Sequence, residues 1–164
     1  MDTLEQLYEK YSRPLYRFLL ALTGSSEDAE EFLQETFYQA IKGSERFEGR
    51  CSPYTWLCQI GKNLWFKELG KRKRFHYQPI EEMELSKEER LLERIVEQEE
   101  KRNLRKKIWE LKEPYREIVI LHIYGENSLK EIAASFGKSE SWARVTFYRA
   151  KQMLTEQMRK EEKV

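Results

Sequence analysis

Cysteine is scarce in this sequence, with 2 in 164 residues, Cys51 and Cys58. They lie too far apart for a C-x-x-C pair, and the 2 histidines, His76 and His122, fall in different segments. They make no metal-binding pattern, and reduced cysteines are expected, with a disulfide or redox sensing the lesser alternative. Proline (4) and glycine (7) are also few, which removes collagen-like and low-complexity classes. No apolar run is long enough to cross a bilayer, and Met1-Asp2-Thr3, followed by Glu5, Glu9 and Lys10, is no basic leader with an apolar core. A cytoplasmic location is therefore expected. There is no phosphate-cradling glycine loop, no nucleophile elbow, and no carboxylate pair backed by a histidine or metal set. We expect no catalytic residue, no metal and no cofactor.

What is present is helix-forming material. Hydrophobic residues make up 40% and charged residues 36%, enough for one ordinary domain or two small ones beneath a charged surface. Apolar residues recur at helical spacing nearly throughout, so the fold is expected to be all-α. The formal net charge is only +1. Its distribution is uneven, with cations gathered at 67–74 and 101–107 and anions at 27–35 and 81–100. A polymer-binding protein with opposed faces averages out this way, and so does an ordinary charged helical protein.

Leu4, Leu7, Tyr8, Tyr11, Leu15, Phe18, Leu19 and Leu22 trace one helical face, with Pro14 expected to kink or break it. After Thr23-Gly24-Ser25-Ser26, one of the two serines can cap a helix whose first turn is acidic and whose inner face is Ala29, Phe32, Leu33, Phe37 and Ile41. Ser52 then caps and Pro53 opens a third helix, with Trp56, Leu57, Ile60, Leu64, Trp65 and Leu69 inward. Residues 1–76 form a first helical domain. Residues 77–103 read as a linker and the start of the next helix, with Ser86 a possible cap. Residues 104–164 form a second domain.

That second domain contains a helix-turn-helix pattern. Leu129, Ile132, Ala133 and Phe136 make a buried stripe, Gly137 permits a tight turn, and Ser139 or Ser141 can cap the following helix. Its Arg144 and Arg149 offer guanidinium forks, Lys138 and Lys151 suit phosphates, and Ser141 and Thr146 allow close approach to a major groove. Trp142 and Phe147 are assigned to packing, Arg144 and Thr146 to DNA. Two base contacts at about 1–3 kcal/mol each give modest discrimination, so specific binding needs dimerisation or a second reading element in the same chain. Residues 50–74 supply one: Tyr54, Trp56, Trp65 and Phe66 interleave with Lys62, Lys67, Lys71, Arg72, Lys73 and Arg74, a pattern suited to unpaired DNA. Trp56 and Trp65 also fit the buried stripe, and the basic run also fits a solvated helix end. Asn63 stands out as an amide able to meet backbone or a base edge. His122 reads as a satisfied structural residue.

Four stretches, taken in order, resemble one family. Asp28-Ala29-Glu30-Glu31-Phe32-Leu33-Gln34-Glu35-Thr36-Phe37 is similar to D-A-E-D-L-V-Q-E-T-F, and Trp56-Leu57-Cys58-Gln59-Ile60-Gly61-Lys62-Asn63 to W-L-x-x-I-A-x-N. Leu111-Lys112-Glu113-Pro114-Tyr115-Arg116-Glu117 resembles L-P-x-x-x-R-E with an extra residue before proline, and Glu131-Ile132-Ala133-Ala134-Ser135-Phe136-Gly137 resembles E-I-A-x-x-L-G. These are patterns of the extracytoplasmic-function sigma factors, sigma-70-class initiation subunits of bacterial RNA polymerase.

The resemblance implies two small helical domains joined by a flexible linker, the C-terminal one a helix-turn-helix. It places Asp28, Glu31, Gln34, Glu35 and Phe37 on the helix that docks on core RNA polymerase. It assigns Arg50, Tyr54, Trp56, Asn63, Lys67, Lys71, Arg72 and Arg74 to the minus-10 element and its melted DNA. It assigns Lys138, Ser139, Ser141, Arg144, Thr146, Tyr148 and Arg149 to double-stranded DNA at minus-35. It also implies a cognate anti-sigma factor, often membrane-bound, that sequesters the protein, in some cases at the inner face of the membrane. Trp142 and Val145-Thr146 depart from the family's usual reading helix, so promoter preference does not carry over. Gly61 stands where alanine is usual, which is expected to soften that helix by up to about 1 kcal/mol. Two rival readings remain: a stand-alone dimeric helix-turn-helix regulator, and a polymerase-binding module that reads no DNA.

Overall fold

The computed structural model describes residues 3–72 and 88–162, with side chains over 3–72 and 99–161. The expected cap Ser86, most of the expected linker, His76 and Arg74 lie outside the described residues. All regular structure among the described residues is helical.

Helix α1 (Leu4–Thr23) starts in a reciprocal cap: Gln6 N–H donates to the Thr3 hydroxyl at 3.3 Å and Thr3 N–H to the Gln6 side chain at 2.8 Å. It runs unbroken through Pro14, so the break that was one of the two expectations does not occur. An internal proline costs about 3 kcal/mol. Here Leu7, Leu15, Phe18, Leu19 and Leu22 are buried on the same helix, and that packing outweighs one lost backbone bond. Helix α2 (Ser26–Lys42) takes Ser25 as cap, its hydroxyl accepting from Asp28 N–H at 3.2 Å, with Glu27 and Asp28 beside the unpaired amides. A short 3₁₀ turn (Ser44–Arg46) leads into α3 (Pro53–Arg72), where the Ser52 hydroxyl accepts from Thr55 N–H at 3.2 Å.

The second group comprises α4 (Glu88–Glu110), α5 (Tyr115–Val119) widening into a π turn (Ile120–Tyr124), α6 (Leu129–Ser135) and α7 (Glu140–Glu162). Ile108, Leu111, Ile118, Val119, Ile120, Leu121, Ile132, Ala133, Ala143 and Ala150 form its buried centre. Ser128 caps α6 and Ser139 caps α7, with Gly137 at φ 67° between them, so the helix-turn-helix forms as its residues dictate. Glu161 fastens α7 to α4 through Lys107 at 2.7 Å and Asn103 at 2.6 Å.

Helix α3 is central. It packs on α1 and α2, and it also meets α6 of the second group. Its buried residues are Thr55, Leu57, Cys58, Gly61, Lys62 and Trp65, while Trp56, Ile60, Leu64 and Leu69 are only partly covered. The expected inward stripe is therefore rotated, because the helix has partners on more than one side.

Candidate nucleic-acid and polymerase interfaces

Beside α3, on the side of α2, runs an open groove of roughly 500 Å³ lined by Gln39, Lys42, Gly43, Arg46, Trp56, Ile60, Asn63, Leu64 and Lys67. Phe47 lies against Trp56 with ring centroids 4.8 Å apart and holds the indole at the groove wall. Asn63 is exposed, and its amide has no partner among the described residues. Lys42, Arg46 and Lys67 are exposed around it. An aromatic wall, a free amide and three cations can stack a base, read an edge and neutralise backbone phosphates. Trp56, Asn63 and Lys67 were expected here. Gln39, Lys42 and Arg46 were not, because the segment after α2 carries only the mark of a helix end, and its approach to α3 is a tertiary fact.

At the far end of α3, Arg72 bonds both carboxylate oxygens of Asp28, at 2.9 and 3.2 Å, and Glu68 at 3.1 Å. Residues expected on two different surfaces are thus joined. Arg72 also lies over the Trp65 ring. Lys71 is exposed beside it, and Arg50 is exposed and paired with Glu48 at 2.8 Å.

On α7 the outward face is Ser141, Arg144, Val145, Tyr148 and Arg149, at the spacing of one helical stripe. Arg144 is 70% exposed and bonds Glu140 at 2.8 Å, holding that carboxyl below its ordinary range. Lys138 and Ser139 lie exposed at the helix start, the Ser139 hydroxyl accepting from Trp142 N–H. Thr146 corrects the sequence reading. It is 6% exposed, on the inner stripe with Ala143 and Ala150, and does not face a groove. Val145, passed over in the sequence, is 48% exposed in its place. Trp142 and Phe147 pack as expected, and His122 bonds the Asn127 carbonyl at 2.7 Å against Phe147.

On α2 the outward stripe is Glu27, Glu31, Gln34, Tyr38 and Ile41, acidic at one end and apolar at the other. Glu35 is half-buried and accepts from Gln39 at 3.0 Å. Phe37, on the inner face by its spacing and among the polymerase-docking residues by resemblance, is buried against Tyr8 at 5.0 Å between centroids, and so does not itself face a partner. Ile41, expected inside, is 48% exposed.

The family description Sigma-70 region 2 matches residues 7–75, and Sigma-70 region 4 matches 101–154. The chain belongs to the sigma-70 family, among its extracytoplasmic-function sigma factors. It is 29% identical to RNA polymerase sigma factor YlaC of Bacillus subtilis (strain 168), over 97% of this chain and 94% of that one. It is 28% identical to ECF RNA polymerase sigma factor SigX of the same organism, over 96% and 84%. Two solved structures share its fold. CnrH in complex with the cytosolic domain of CnrY has a TM-score of 0.63 at 19% identity, covering 94% of this chain and 86% of that one. The sigma factor RpoE in complex with the anti-sigma factor NepR from Bartonella quintana has a TM-score of 0.60 at 20% identity, covering 94% and 96%.

In this sigma factor the groove and the acidic stripe fall within the region 2 match and the α7 face within region 4. The two regions touch. Ser52 N–H donates to Glu131 at 2.7 Å, the Tyr54 hydroxyl to the Gly125 carbonyl at 2.8 Å, and the Thr55 hydroxyl to Asn127 at 2.9 Å. Gln59 donates to the Ser135 hydroxyl at 2.9 Å and Lys62 to Glu117 at 2.5 Å. Tyr54, expected at DNA, thus spends its hydroxyl between regions, and burial pushes its pKa up. Lys62, grouped with the DNA-tracking cations in the sequence, is 1% exposed. Asn127 is 4% exposed and also bonds the Leu121 carbonyl, a junction residue with no sequence signal of its own. Among the described residues no group of His, Cys, Asp and Glu could hold a metal ion, and no helix is long and apolar enough to cross a membrane.

Proposed function

We propose that this chain is the specificity subunit of RNA polymerase that recognises minus-35 and minus-10 promoter elements and nucleates strand opening, catalysing no reaction itself. The observation that carries the reading is the presence, in one chain of this family, of an aromatic–cationic groove on region 2 and a separate exposed helix face on region 4. Core polymerase docks on the outward stripe of α2, with Asp28, Glu31, Gln34 and Glu35 on that helix and Phe37 stiffening it from within. Unpaired minus-10 bases enter the groove at Trp56 and Asn63 while Lys42, Arg46, Lys67 and Lys71 follow the strand. Bases that leave the duplex lose stacking and gain these contacts, which favours the melted form.

Arg144, Val145, Tyr148 and Arg149 read the minus-35 major groove, with Ser139, Ser141 and Lys138 at its edge. Arginine suits guanine, and valine suits a thymine methyl. Each reader is weak alone. Tethering one to the other within a single chain raises the effective concentration of the second to about the millimolar range. We place the domains at 1–76 and 104–164 with 77–103 between them. A cognate anti-sigma factor, membrane-bound in many systems, holds the protein back at the cytoplasmic side.

Run-off transcription with purified core polymerase on a genomic library tests the proposal. Start sites sharing two spaced elements are expected. A protein that binds a palindrome as a homodimer without polymerase, or joins polymerase without directing any start, overturns it.

A further inference from the structure

Arg72 stands at the end of the helix that carries the strand-tracking cations, yet its three guanidinium nitrogens are already engaged by carboxylates. The two terminal nitrogens donate one to each oxygen of Asp28, at 2.9 and 3.2 Å, and Nε donates to Glu68 at 3.1 Å. The guanidinium carbon lies over the Trp65 ring, 5.1 Å from its centroid. Trp65 is 3% exposed and meets Phe32 of α2 edge to face, with centroids 5.4 Å apart. The last turn of α3 is thus pinned to the first turn of α2. At about 100° per residue, Lys67 and Lys71 lie about 40° and 80° around α3 from Asn63, whereas Trp65 and Arg72 lie about 160–180° from it. Arg72 does not share the stripe that lines the groove. To meet a phosphate it must give up Asp28 and Glu68, while Lys71 next to it is exposed and has no ion pair among the described residues.

We propose that Arg72 is a positioning residue for polymerase docking, acting through Asp28, and that it meets no DNA phosphate. The inference rests on the sigma-factor reading above. Glu27 and Glu31 open the outward stripe of α2, and Asp28 lies between them in sequence. Helix ends fray unless fastened, so the direction of those two carboxylates depends on what holds the first turn. A single exposed ion pair holds little, but a bidentate fork joined to a second carboxylate and a ring is a network with one geometry. With Arg72 in place, Asp28 is neutralised and drawn toward α3, only 17% exposed, and Glu27 and Glu31 are left to face the partner in a fixed direction. Without Arg72 that turn loses its tie, and docking must order it at the moment of binding, which lowers affinity. Lysine cannot stand in for the fork. An ammonium meets a phosphate as a point charge, but it cannot hold both oxygens of Asp28 in one plane.

The test uses the full chain as wild type, Arg72→Ala, Arg72→Lys, Asp28→Ala, the double variant Asp28→Ala/Arg72→Ala, and Lys71→Ala. Two quantities are read: affinity for core RNA polymerase without DNA, from the anisotropy of labelled protein, and the logarithmic salt slope of promoter binding by the reconstituted holoenzyme. Arg72→Ala, Arg72→Lys and Asp28→Ala should each lower core affinity about tenfold, and the double variant no further, because the two side chains act as one unit. The salt slope should stay at the wild-type value in all of these and fall by about 1 in Lys71→Ala. Unchanged core affinity in Arg72→Ala, or wild-type affinity in Arg72→Lys, overturns the positioning role. So does a loss of affinity seen only in variants whose urea midpoint has also fallen. A slope lowered by about 1 in Arg72→Ala returns the residue to the DNA strand. If wild type itself does not bind core polymerase, the sigma-factor reading fails and the docking role falls with it. A double-mutant cycle on urea stability then still decides whether Asp28 and Arg72 pin α2 to α3.

Discussion

Replacing Gly61 with alanine separates local propensity from packing. In an isolated helix the change stabilises by about 1 kcal/mol. In this fold Gly61 lies where α3 meets α1 and α2, and a Cβ there would sit 3.1 Å from Leu19 Cδ2 and 3.1 Å from Thr36 Oγ1. Both neighbours are fully buried. Thr36 cannot withdraw cheaply, because its hydroxyl donates to the Phe32 carbonyl at 2.6 Å. Overpacking of a close-fitted core costs about 1–3 kcal/mol, so the propensity gain is overtaken. We expect Gly61→Ala to lower stability by about 1 kcal/mol, seen as a reduced urea midpoint and a melting temperature about 5 °C lower. Removing the obstructing hydroxyl should reverse the sign: in a Thr36→Ala background, Gly61→Ala should be neutral or stabilising, a coupling that a double-mutant cycle reads. A Gly61→Ala protein more stable than wild type by about 1 kcal/mol would refute the packing argument.

Arg144→Ala should cost about 1–3 kcal/mol of specific binding and relax preference near minus-35, measured by titration of promoter variants. Thr146→Ala should leave that preference unchanged and lower stability instead. Replacing Lys67 with alanine should weaken binding to melted promoter DNA about equally for all sequences and reduce the logarithmic salt slope by about 1, with an unchanged slope placing the strand elsewhere. Burial holds the Lys62 pKa below its ordinary 10.5, against the opposing pull of Glu117 and Glu113 and with Arg116 adding to the lowering. In Glu117→Gln, with no carboxylate bonded to the ammonium, the form with the two regions in contact binds fewer protons than the form with them apart, and the contact strengthens as pH rises toward 10.5. In Glu117→Gln, small-angle scattering should accordingly show recompaction over that window; expansion would mean that Lys62 is not buried.

Much of the molecule was legible before any tertiary contact was known. Ser25, Ser52 and Ser139 act as caps, Pro53 opens α3, and Gly137 turns between α6 and α7, because a cap or a turn is satisfied by atoms a few residues away. The same holds for the stripe of Leu129, Ile132, Ala133 and Phe136. The groove was half legible: Trp56, Asn63 and Lys67 announce themselves on one helix, but Lys42 and Arg46 join them only when α2 lies alongside.

Orientation was decided elsewhere. Thr146 turned inward and Ile41 outward because helical spacing marks two candidate faces, and only the neighbouring helix selects between them. Pro14 stayed inside a continuous helix because burial along α1 exceeds the local penalty. Lys62 became a buried charge because its carboxylate lies 55 residues away in sequence. The order of residues by itself determined which residues cap and turn the helices, what chemistry each helix carries and which family the chain joins, since those depend on near neighbours and short motifs. The tertiary structure alone decided which faces are covered and that the two regions touch, since burial and pairing belong to residues that only the folded chain brings together.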